Sequence, residues 1–180
     1  MKIGIPRALL YYRFDTLWRT FFQELGFETV LSPVTDKTIL DEGSRYSIDE
    51  NCLSSKLFFG HIAVLEGKCD AVFVPRIANY GKEGIMCTRI QALYDTAVNT
   101  FRDKDLKFIT CDVDLQEKKT EEAAFTSLGI ELGCSREKSL GAYRAAKTAD
   151  RNSQEKKIRY QEQQLEKEGI KILIVGHSYN

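Results

Sequence analysis

The sequence predicts an α/β domain: a three-layer α/β/α, Rossmann-like sandwich around a mainly parallel sheet. Three observations predict it. Short apolar runs alternate with longer segments of helical period. One run, Ala71 to Val74, is continuously apolar, as a strand buried on both faces must be. Several runs stop at Gly or Pro, which suits tight turns between strand and helix. The chain has 180 residues, 43% of them apolar, which is enough for one domain with a full core.

Lys2 to Ile5 is the first strand, stopped by Pro6. Ala8 to Leu25 follows as a helix with Leu9, Tyr12, Leu17, Phe21 and Leu25 on its apolar side, and Gly26 ends it. Glu28 to Leu31 is the next strand, closed by Ser32-Pro33. Thr35 or Asp36 caps a short helix to about Glu42, and Gly43 to Asn51 reads as loop. Cys52 opens a helix through Leu65, and Ala71 to Val74 is the buried strand, ended by Pro75. Arg76 to Met86 has two glycines and no period, so it is expected to be a loop leading into a helix over Thr88 to Asn99.

Leu106 to Thr110 is a further strand, followed by helices at Glu117 to Leu128 and Arg136 to Glu168. The last is long and polar, and its charge run reads as a solvated connector. Ile170 to Val175 is another apolar strand, ending at Gly176-His177-Ser178-Tyr179-Asn180. The expected division is residues 1–168 as the α/β/α domain and 169–180 as the first strand of a second domain. The alternative is that this strand completes the first sheet.

The charges exclude some partners. With 26 basic and 26 acidic residues there is no global field for nucleic acid or an anionic membrane, and no basic stripe interleaves with aromatics. The start MKIGIPRALLYY lacks a leader pattern, and no window approaches a membrane span. A cytoplasmic location is expected. There the five cysteines, Cys52, Cys69, Cys87, Cys111 and Cys134, suit thiols or metal ligands better than disulfides. None forms a CxxC pair, so any metal needs ligands from distant loops.

Ligands of such folds gather at the carboxyl ends of the strands. Three segments fall there: Gly4-Ile5-Pro6-Arg7, Glu50 through Lys56, and Pro75-Arg76 through Cys87. Cys52 opens a helix whose positive end favours thiolate, with Lys56 one turn on, and Cys87 precedes another helix. As a pair they suit cluster ligands; singly, each equally reads as a small residue at a helix start. Cys69 and Cys111 are expected to be structural, and Cys134 to mark a helix boundary. Arg7 and Arg76 follow prolines at strand ends, where they could clamp a carboxylate or phosphate, or simply bond Glu50 and loop carbonyls. His61 reads as a satisfied half-core histidine, whereas His177 stands in a turn. No Walker A loop, GxGxxG, HExxH or GxSxG occurs, so an independent ATPase is not expected.

The runs GIPRALLYY, LWRTFFQELGFETVLS, ENCLSSKLFFGH, DAVFVPR and VGHSYN resemble, in order and spacing, the domain attached to CoA-substrate-specific enzyme activases and the wider 2-hydroxyacyl-CoA dehydratase family. The resemblance covers essentially the whole chain. It implies anaerobic electron transfer, in which an ATP-dependent activase passes an electron to a component whose iron-sulfur cluster is held by cysteines from separate loops. By position Cys52 and Cys87 match the first two cluster cysteines, and a third would come from a domain beginning at about Ile170. The family often has a proline soon after each cysteine; here Leu53-Ser54 and Thr88-Arg89 stand instead. An acyl-CoA or other small molecule is the implied substrate of the complete enzyme. Two other readings remain: a metal-free domain that docks an activase, and a module that binds an anion through Arg7, Lys56 and Arg76.

Overall fold

The computed structural model describes residues 1–81 and 84–176. Strand β1 (Lys2–Ile5) has parallel neighbours on both edges, β2 (Glu28–Leu31) and β3 (Ala71–Phe73), so Ile3 faces Thr29 on one side and Ala71 on the other. Ile3 and Ile5 are wholly buried, which the continuous apolar character of this strand anticipates. With β5 (Phe108–Ile109) beside β3, the sheet order is β2-β1-β3-β5, all parallel.

That order dictates the layers. The crossover from β1 to β2 moves one way along the sheet and the next, to β3, moves the other way. Right-handed connections then put their helices on opposite faces. On one face lies α1 (Tyr11–Leu25), with α6 (Glu121–Glu131) and α7 (Arg136–Glu166), joined by aromatic contacts Phe22–Phe73 at 5.1 Å and Phe21–Phe125 at 4.9 Å. On the other lie α2 (Lys37–Arg45), α3 (Leu53–Ala63), α4 (Thr88–Gln91) and α5 (Leu93–Thr100), where Tyr46 and Phe101 meet at 4.6 Å. The α/β/α expectation holds.

Several boundaries differ from the sequence reading, each for a physical reason. Strand β3 stops at Phe73, before Pro75, as expected, but backbone bonding goes on past the proline. Val74 donates to Ile109 O at 2.9 Å and Arg76 to Cys111 O at 2.9 Å, so the proline sits between two in-phase donors and its missing N–H interrupts nothing. Beyond it β4 (Arg76–Asn79) pairs in parallel with β6 (Asp112–Asp114) as a second, two-stranded sheet, where a loop was expected. Helix α2 likewise passes through Gly43. A Cβ there would lie 1.9 Å from the Lys56 carbonyl, and one on Gly60 would lie 1.9 Å from that of Ile39, so the two glycines form a close helix crossing.

Helix α1 starts at Tyr11 rather than Ala8, because residues 6–10 turn through Leu9 at φ 53°. Helix α7 is solvated along its length only in its outer half. Its first half packs on α1 and α6 with Ala142, Tyr143, Ala146 and Asp150 buried; Asp150 pairs with Arg13 at 3.4 Å, and Lys138 Nζ donates to Leu25 O at 2.8 Å. Ile170 to Val175 forms no strand among the described residues, with Ile170 96% and Leu173 86% exposed. His177 and the turn around it lie outside the described residues.

Candidate functional site

β1 and β3 are adjacent but their crossovers leave in opposite directions, so the crevice at their carboxyl ends is the place where such folds bind ligands. Cys52 and Cys87 stand on helix starts of identical backbone, with φ −63° and ψ 152° at Cys52 and φ −63° and ψ 153° at Cys87. Each carbonyl accepts the first helical bonds, from Lys56 N at 3.1 Å and from Gln91 N at 3.1 Å. Neither side chain caps its helix, and both are exposed.

The two starts are joined by a residue the sequence reading passed over. Arg89, two residues past Cys87, donates from Nη1 to Asn51 Oδ1 and from Nη2 to the Glu50 carbonyl at 3.4 Å. These are the two residues immediately before Cys52. A cavity of about 330 Å³ lies there, lined by Asn51, Ser55, Phe59, Thr88, Arg89 and Leu93. The Cys52 sulfur is 3.2 Å from Ser55 Oγ. That hydroxyl first, then the Ser55 backbone N–H and after it the Arg89 guanidinium, favour the thiolate and hold the Cys52 pKa below its ordinary value against the opposing effect of burial. Lys56 is half-buried one turn along α3, its carbonyl packed on Gly43; the cation acting on Cys52 is Arg89. Among the described residues no group of three or more His, Cys, Asp or Glu gathers as a metal set.

Arg7 and Arg76 go separate ways. Arg76 Nη2 bonds Asp95 Oδ1 at 2.6 Å, and its guanidinium lies over the Tyr94 ring, 5.2 Å from the centroid. Arg7 donates its backbone N–H to Ser32 Oγ at 2.8 Å, while its buried Nε has no hydrogen-bond partner. Neither bonds Glu50. His61 is wholly buried, with Nδ1 2.8 Å from Ser32 Oγ and Nε2 3.0 Å from Thr35 Oγ1. Burial, and next the Arg7 charge, lower its pKa to about 4, so it is a neutral, satisfied core histidine as expected.

The remaining cysteines are packed into the structure. Cys111 is buried, and desolvation together with Glu121 pushes its thiol far up. Cys69 donates to Leu65 O at 3.5 Å and fills the space a side chain on Gly4 would need. Cys134 packs against the core.

A buried carboxylate also escaped the sequence reading. Glu121 accepts from Tyr80 Oη at 3.0 Å, from Tyr143 Oη at 2.8 Å and from Lys147 Nζ. Burial and the Glu121 charge raise the pKa of both tyrosines, so they stay hydroxyl donors. It ties the end of β4 to α6 and α7. In sequence Glu121 looks like any acidic residue in a first helical turn, here one capped by Thr120.

The chain belongs to the family described as CoA enzyme activase uncharacterised domain (DUF2229), whose model matches residues 2–180. A search of curated proteins found no match, and neither did a search of solved structures. Among the described residues no helix is long and apolar enough to cross a membrane.

Proposed function

We propose that this CoA enzyme activase-related domain supplies Cys52 and Cys87 to an iron-sulfur cluster in a cytoplasmic electron-transfer component of the 2-hydroxyacyl-CoA dehydratase kind. One observation carries the reading: two exposed thiols stand at two helix starts that Arg89 ties together. The donor chemistry fits in part. Thiolates from separated loops suit iron-sulfur clusters, and the side chain that lowers the Cys52 pKa is the neighbouring Ser55. Two sulfurs are an incomplete set, so the other ligands come from outside the described residues. The cluster, when bound, supplies one-electron transfer. This chain's part is to hold two thiols and to keep the Arg89 cation beside one of them.

An ATP-dependent activase, or another electron-transfer protein, is the proposed partner, and an acyl-CoA the substrate of the complete enzyme. Leu53 is 61% exposed and Ile85 60%, each within two residues of a cysteine, which supports partner docking at this rim. The test is iron and sulfide content with visible and EPR spectra, on anaerobically prepared protein carrying every residue its gene encodes. A cluster lost on Cys52→Ser and Cys87→Ser supports the reading. A colourless, iron-free wild type after reconstitution overturns it and leaves a metal-free docking domain.

A further inference from the structure

Independently of any cluster, we infer that the cavity at the carboxyl end of β1 binds one small oxyanion, a phosphate or carboxylate group, with Arg7 as its charge. The cavity holds about 120 Å³ and is lined by Arg7, Leu9, Tyr12, Thr35, Ser54 and Leu57. At about 30 Å³ per water that is room for a few water-sized groups, enough for one oxyanion and too little for a nucleotide.

Arg7 is the first reason. No carboxylate pairs with it among the described residues, and its buried Nε finds no acceptor. Buried donors are almost always satisfied, and an oxyanion against the Nε edge of a guanidinium is a common bidentate partner. Arg76, after the other strand-end proline, has its acceptor in Asp95.

The hydroxyl of Thr35 is the second. Ser32 Oγ accepts from Arg7 N–H and also bonds His61 Nδ1, and His61 Nε2 bonds Thr35 Oγ1 in turn. With the ring hydrogen on Nε2, Thr35 Oγ1 accepts from His61 and keeps its own proton to donate into the cavity. The chain of bonds runs from the Arg7 backbone to Thr35 in the cavity lining, whose hydroxyl stands beside the proposed anion. Leu9, also in the lining, is held at φ 53°, a conformation that a leucine adopts only under constraint from its surroundings.

The experiment is titration calorimetry of iron-free protein at low ionic strength with inorganic phosphate and, separately, acetate. Saturable binding at one site is expected, at least tenfold weaker in Arg7→Gln and in Leu57→Trp, which fills the cavity and leaves Arg7 in place. Arg76→Gln should bind as wild type. Tighter phosphate binding points to a phosphate ester as the natural ligand, tighter acetate binding to a carboxylate. No saturation by either anion, or undiminished binding by Arg7→Gln, overturns the proposal. If a variant fails to fold, amide shifts of the wild type on phosphate addition decide. Movement at Arg7, Thr35 and Ser54 supports the site, and movement elsewhere overturns it. Because iron is absent throughout, the result is separate from that of the cluster test.

Discussion

The rims under Arg7 and under Arg76 start from nearly the same local sequence, a buried parallel strand, a proline and an arginine, and they end differently. At Pro6 the ladder stops, the chain turns through Leu9 into α1, and the guanidinium is left with a buried donor unmatched. At Pro75 the backbone bonding continues, because the donors on either side of the proline stay in register with Ile109 and Cys111. Arg76 is then a strand residue facing α5, where Asp95 and Tyr94 take up its charge. An arginine after a strand-end proline thus becomes a binding group only where that bonding ends. The chain beyond the proline decides which outcome prevails.

Five changes probe this contrast, in decreasing order of effect. Gly60→Ala puts a Cβ into the Ile39 carbonyl and must push α3, which lines the Arg7 cavity, off α2. We expect a loss of about 3 kcal/mol or more in urea unfolding, since backbone cannot yield as a side-chain tip can. An unchanged midpoint would mean that the two helices cross elsewhere.

Acid comes next. The folded pKa of His61, about 4, lies below its ordinary 6.5, so between these values the unfolded chain binds a proton that the folded one refuses. Stability is therefore complete above pH 6.5 and falls as pH drops towards 4. The change is up to about 3 kcal/mol, by the linkage between proton uptake and unfolding. His61→Gln should flatten that slope; a slope that persists in the variant would assign it to other groups.

On the Arg76 side, Glu121→Gln leaves Lys147 without its carboxylate and weakens the bonds from Tyr80 and Tyr143. A loss of about 2 kcal/mol is expected in the same unfolding assay, because the partners of a buried carboxylate are costly to leave unmet. The smallest effects come from the arginines themselves. Arg76→Gln removes a partly exposed ion pair and should cost about 1 kcal/mol or less. Arg7→Gln in phosphate-free buffer should cost nothing, or stabilise slightly, because it removes a buried donor that the folded chain does not satisfy. A large loss at Arg7 would show that its guanidinium already has an acceptor.

Much of the fold was legible in local sequence. Gly26 in the left-handed conformation after α1, Asp36 accepting from Ile39 N at 2.9 Å, and the apolar β1 and β3 are all consequences of neighbours in the chain. The extension of α2 through Gly43 was not, since a glycine that breaks an isolated helix is the residue needed where two backbones touch. The buried half of α7 was hidden in the same way: its polar residues are partnered by α1 and α6, through pairs such as Arg13 with Asp150, 137 residues apart. At the candidate site, the positions of Cys52 and Cys87 on helix starts could be read from the sequence, and Arg89 could not.

From the sequence alone come the α/β/α class, the parallel strands, the helix starts that carry Cys52 and Cys87, and the structural character of Cys69 and Cys111. Hydrophobic period, caps and chain breakers produce these features, and they act over a few residues. It took the tertiary arrangement to settle that Arg76 is spent on Asp95, that Arg7 keeps a buried Nε without an acceptor among the described residues, that Arg89 joins the two cysteine loops, and that Glu121 is buried among two tyrosines and a lysine. The physical reason is common to all four. A charged group's role is set by the acceptors and donors within about 3 Å of it, and folding brings those from distant parts of the chain.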